Sequence, residues 1–137
     1  MDLLHKKQLQ IAIDMLLRNI PDLFAIVLFG SYGHEYETSQ SDLDLAFLSK
    51  SKQDVVYLWE LAQNIAIELN RDVDLIDLRS SSTVFRFQIL SSGKLIYCSN
   101  QKDFDFFENT TFAMYLNFQE TRKEILNDYK ERKSHRG

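Results

Sequence analysis

Gly30-Ser31 is followed, after ten residues, by Asp42-Leu43-Asp44. These residue types at this spacing suit phosphate and metal chemistry. Gly30 allows a tight backbone turn and a close approach to phosphate with no Cβ in the way. Ser31 offers a hydroxyl and a backbone N–H to phosphate oxygens, and a helix starting there would add its N-terminal amides. Side chains two apart on a strand share a face, about 6.6 Å apart along the backbone. Two carboxylates held that way repel each other, and burial adds to the conflict. A divalent cation removes it. Mg²⁺ takes one or two carboxylates and completes its shell with substrate phosphate and water. Two such ions about 3.5–4 Å apart can clamp the attacking and leaving oxygens of a phosphoryl displacement.

The surrounding sequence supplies the elements that must position these groups. Leu23 to Phe29 (LFAIVLF) is a continuous apolar run and reads as a buried strand. Residues 32–41 (YGHEYETSQS) are polar and read as a loop. A second strand, 42–48, opens on the Asp-x-Asp pair. A third carboxylate is available in Asp72-Val73-Asp74-Leu75-Ile76-Asp77-Leu78, which alternates as a strand does. Asp74 is followed on its face by Ile76 and Leu78, as Asp44 is by Ala46 and Leu48. That match favours Asp74, with Asp72 and Asp77 as alternatives. Asp77 faces the other way, where Arg79 or Arg86 would make it a structural ion pair. In the loop, His34 reads as a solvated histidine, and Glu35, Glu37, Tyr32 and Tyr36 carry no firm role.

The stretch GSYGHEYETSQSDLDL resembles the Gly-Ser-x10-Asp-x-Asp motif of the nucleotidyltransferase superfamily with a DNA polymerase β-like fold. The small size further resembles its minimal nucleotidyltransferases, notably the MntA-type antitoxins that accompany HEPN-domain toxins. The resemblance implies an α/β (α+β) domain with a small mixed sheet, packed helices and a site at one edge. It implies that Gly30 and Ser31 hold the triphosphate of ATP. Asp42 and Asp44 would bind Mg²⁺, and Asp74 would complete the set as general base. The activity implied is AMP transfer with release of pyrophosphate, onto a tyrosine of a HEPN ribonuclease toxin, in a hetero-oligomer with that toxin. Two other readings stand beside it: an antitoxin that neutralises by binding alone, and a transferase acting on a small molecule or RNA.

Length and composition bound the rest. A chain of 137 residues reads as one domain, 1–137, and 45% hydrophobic residues with ten Phe suffice for a substantial core. A net charge of −4 argues against non-specific nucleic-acid binding through a basic face. Cys98 is the only cysteine, so neither an intramolecular disulfide nor a cysteine zinc site is possible, and its apolar neighbours suggest a buried thiol. No window reaches the ~18 apolar residues of a membrane span. The N-terminus lacks a signal-peptide layout, so the chain reads as cytoplasmic.

Helices are expected over Leu4–Asn19 and Lys52–Asn70, the second with Val55, Leu58, Trp59, Ala62, Ile65, Ala66 and Leu69 as its apolar stripe and Trp59 in the core. Ser82 or Thr83 should cap a short helix through Leu90, with Gly93 ending it and a strand over 94–98. Residues 103–133 read as helical, with a break near Asn109-Thr110. The thin stripe of Ile125, Leu126 and Tyr129 is either a packing face or a partner-docking surface.

Overall fold

A computed structural model describes residues 3–30 and 42–136. Helix α1 (Leu3–Asn19) leads into strand β1 (Leu23–Phe29). Strand β2 (Leu43–Ser49), helix α2 (Val55–Leu69) and strand β3 (Val73–Asp77) form a βαβ unit. A 3-10 turn (Leu78–Ser80), helix α3 (Thr83–Ser92), strand β4 (Lys94–Cys98) and helix α4 (Gln101–Arg136) complete the chain.

The sheet order is β3-β2-β1-β4. β1 runs antiparallel to both β2 and β4, and β2 runs parallel to β3. The sheet is therefore mixed. A parallel pair needs a long crossover, and α2 supplies it. Both faces are covered, which explains why β1 is apolar without alternation. On one face Ile26, Leu28, Leu43, Leu45 and Phe47 pack with Leu16 of α1 and Ile65 of α2. On the other, Val27, Ala46 and Leu48 pack with Ile89 of α3 and Phe104 and Phe107 of α4. Cys98 is half-buried against this second cluster.

Local chemistry sets the helix ends. Asp54 caps α2 by accepting the Tyr57 N–H at 3.0 Å, so the helix starts at Val55 rather than Lys52. Ser82 caps α3 through the Phe85 N–H at 3.2 Å. Asn100 begins α4 with a reciprocal cap: its side-chain oxygen accepts the Asp103 N–H at 3.1 Å, and its Nδ2 donates to the Asp103 carboxylate at 2.8 Å. This places the start of α4 at Gln101.

Two expectations fail for physical reasons. Trp59 is 64% exposed, not core, and Val55, expected in the same stripe, is 78% exposed. The residues of α2 that are buried are Leu58, Leu61, Ala62, Ile65 and Leu69. This helix is apolar on more than one side, so periodicity alone could not choose its inner face. The break near Asn109-Thr110 is also absent, and α4 runs unbroken for 36 residues. Phe107 and Thr111, one turn apart, are both buried, and Phe107 packs in the cluster on the second face of the sheet. Arg79 and Arg86 lie over the Phe107 ring at 5.6 and 5.1 Å from its centroid, which adds to the anchorage. A helix this long extends about 54 Å. Its distal half leaves the sheet, and Leu116, Phe118, Ile125, Leu126 and Tyr129 are all exposed there.

Candidate active site

Three strand ends meet because of the sheet's topology. β1 ends where its antiparallel partner β2 begins, and β3 begins beside it in parallel. Phe29 pairs with Asp44 across the first junction. Asp44 pairs with Asp74 across the second. The two aspartates are thus direct neighbours in register, on the face that also carries Ala46, Leu48, Ile76 and Leu78. Asp42 lies two residues before Asp44 at an exposed position.

Gly30 follows β1 with φ +78, in the left-handed region. A Cβ there would fall on Asp44 Oδ2 and lie 3.1 Å from its Cγ. Glycine is therefore required twice, by backbone conformation and by the carboxylate beside it. Replacing Gly30 with Ala is expected to cost about 1–2 kcal/mol in stability from the left-handed backbone. It should also push Asp44 aside and lower turnover far more than that loss of stability explains. Thermal unfolding read beside initial rates separates the two effects. Ser31 lies outside the described residues, as do Tyr32, His34, Glu35, Tyr36 and Glu37.

Asp44 is half-buried, and its carboxyl is held above the ordinary carboxylate range. Burial is the largest cause, followed by the charges of Asp74 and then Asp42. A cation beside these oxygens relieves all three. Among the described residues, no three His, Cys, Asp or Glu side chains already close on one point as a preformed metal cage. The donor set instead suits a hard divalent cation whose shell is completed by phosphate and water.

The other two candidate acids behave differently. Asp72 is exposed and precedes β3, with its main-chain oxygen accepting the Leu43 N–H at 2.8 Å. Asp77 is 6% exposed, and its carboxylate accepts the Gln53 N–H at 2.8 Å, the Arg79 N–H at 3.1 Å and the Ser80 hydroxyl at 3.4 Å. These contacts fit the structural part its facing suggested, but its partners are backbone amides and the Ser80 hydroxyl rather than guanidinium groups. Asp77 does favour the charge on nearby Arg86, whose pKa is nonetheless lowered by burial first and by Arg79 second. Asp77→Ala is expected to destabilise the fold by about 2–3 kcal/mol in urea unfolding, because buried donors lose a charged acceptor.

Residues 12–102 match the family described as Polymerase beta, Nucleotidyltransferase. The chain belongs to this nucleotidyltransferase family. Protein adenylyltransferase MntA of Shewanella oneidensis is 41% identical to this nucleotidyltransferase over 128 residues, 91% of each chain. A solved structure of a tri-AMPylated Shewanella oneidensis HEPN toxin in complex with MNT antitoxin contains a chain with a TM-score of 0.76 and 40% identity. That match covers 92% of this nucleotidyltransferase and 98% of the matched chain. A crystal structure of the toxin–antitoxin with AMP-PNP gives a TM-score of 0.77 and 41% identity, over 88% and 96% of the two chains. The polymerase β-like fold, expected from the Gly-Ser and Asp-x-Asp spacing, and the resemblance to MntA-type antitoxins, expected from the small size, are borne out.

Proposed function

We propose that this nucleotidyltransferase is a protein adenylyltransferase antitoxin that moves AMP from Mg²⁺-ATP to a tyrosine of a HEPN toxin. The observation that carries the reading is the juxtaposition of Asp44 and Asp74 in register beside Gly30, in a chain similar over nine-tenths of its length to a protein adenylyltransferase.

Gly30 and Ser31 border the triphosphate. Asp42, Asp44 and Asp74 hold Mg²⁺, which when bound neutralises charge developing on the phosphate oxygens. Asp74 accepts the proton of the acceptor hydroxyl. The hydroxyl oxygen then forms a bond to the α-phosphorus of ATP, the bond from that phosphorus to the bridging oxygen breaks, and pyrophosphate leaves. Asp44 is poised for this chemistry because its charge is unsatisfied in the protein alone.

The reaction belongs in the cytoplasm, where ATP is abundant. No helix of the described residues is long and apolar enough to cross a membrane. The chain acts as one domain, 1–137. The exposed distal half of α4, within the 103–133 region, supplies a surface on which the toxin assembles into a hetero-oligomer.

α-Labelled ATP, Mg²⁺ and a HEPN partner test the reading together. Label should enter the partner with the intact chain and fail to enter with Asp42→Asn/Asp44→Asn. Label retained with that double variant contradicts the assignment of the carboxylates. Neutralisation of the partner with no label at all would show that binding alone suffices.

A further inference from the structure

β3 is an edge strand, and its outer side opens into a groove of about 450 Å³. α2 walls the groove on one side with Val55, Leu58 and Trp59, and Phe85 of α3 stands on the other. Val55 is 78% exposed and Trp59 64%, a large apolar surface for a chain this size. The edge is also chemically open. The Asp72 carbonyl points to β2, where it accepts the Leu43 N–H. In a trans peptide the next N–H points the opposite way, so the Val73 amide faces outward, and alternation places the Leu75 amide there too. No strand among the described residues pairs with them. β3 (VDLID) carries no Lys or Pro, and its charged residues are the aspartates Asp74 and Asp77.

We propose that an extended segment of the acceptor protein docks in this groove as an added strand on β3. The proposal rests on the reading of this chain as a protein adenylyltransferase. Two observations, with the general chemistry of sheet edges, select that occupant. Asp74 lines the groove and also neighbours Asp44, so a chain lying along β3 passes directly beside the proposed general base. Of the groove's charged lining residues only Asp74 is exposed, Asp77 being buried on its own hydrogen bonds, and no Lys or Arg lines it, which fits a basic or neutral segment. Added strands gain main-chain hydrogen bonds from the edge and specificity from alternate side chains. Here one set of side chains meets Trp59 and Leu58, and the alternate set passes Asp74 and Phe85, where a hydroxyl can be delivered to the carboxylate.

Hydrogen exchange at single-amide resolution tests this on the intact chain, alone and with its HEPN partner. The expected result is slowed exchange at both Val73 and Leu75 on addition of the partner. Unchanged exchange at both amides during complex formation overturns the proposal. Protection that rises with concentration of the chain alone assigns the edge to a second copy and overturns it equally. Steady-state transfer gives an independent reading, since Trp59 is exposed and Trp59→Ser should fold. Its KM for the partner should rise about tenfold or more, as for a central aromatic anchor. A KM for the partner that does not move counts against the groove. If the wild-type chain labels no partner, the adenylyltransferase reading itself fails, and exchange at Val73 and Leu75 still decides whether a protein segment occupies the edge.

Discussion

Asp74→Asn should lower AMP transfer by about 10²–10⁴-fold, the range that a positioned general base contributes. Binding of Mg²⁺-ATP should survive, because Asp42 and Asp44 keep their oxygens. The asymmetry follows from where the three residues sit. Asp44 is half-buried between its neighbours, whereas Asp74 is exposed on the edge strand, facing the side from which an acceptor can arrive. The substitution is nearly isosteric and lies on the surface, so the fold should be unaffected. Nucleotide affinity measured by calorimetry, beside single-turnover transfer, separates the roles. Transfer at the wild-type rate would remove Asp74 from the mechanism. Loss of nucleotide binding together with transfer would make it a ligand only.

Asp44→Asn should abolish activity, by about 10²-fold or more, while making the metal-free protein more stable at neutral pH. The sign follows from the raised pKa. Between the ordinary carboxylate pKa and the higher folded-state value, the folded chain keeps a proton on Asp44 that the unfolded chain gives up. Stability contributed by this group therefore falls as pH rises through that window, and stays lowered above it. Asn carries no charge and escapes the penalty from burial, Asp74 and Asp42. The wild-type and Asn chains should then melt closer together as the pH is lowered through the window, with the Asn chain higher at pH 7. Added Mg²⁺ and ATP should raise the melting temperature of the wild type and have much less effect on the variant. A metal-free Asn variant that melts below the wild type at pH 7 would contradict the electrostatic account.

The parts of the site that depend on short-range pattern were legible in the sequence. The two-residue spacing of Asp42 and Asp44 sets their shared side, and the alternation after Asp74 matches that after Asp44, which the parallel register reproduces residue for residue. Ser82 could be read as a cap because its side chain acts three residues away. What depends on long-range packing was not legible. α2 offers Val55, Val56 and Trp59 on one side and Leu61 and Ile65 on another, and only the position of the sheet decides which set is buried. The continuity of α4 through Thr110 goes with burial of Phe107 and Thr111 on either side of it, and Phe107 packs in a cluster with strand residues far away in sequence. The open edge of β3 is likewise a property of sheet order, which no local pattern encodes. Asp77 stood open as a third carboxylate or a structural group, and its acceptor role toward the Gln53 amide spans 24 residues and leaves no trace in spacing.

The most direct measurement is the intact mass of a HEPN partner after incubation with this chain, Mg²⁺ and ATP, followed by mapping of the modified residue. The account predicts added mass in whole AMP units on a tyrosine, dependent on Asp42, Asp44 and Asp74. An unmodified partner, or AMP appearing instead on a small molecule or RNA, would contradict it.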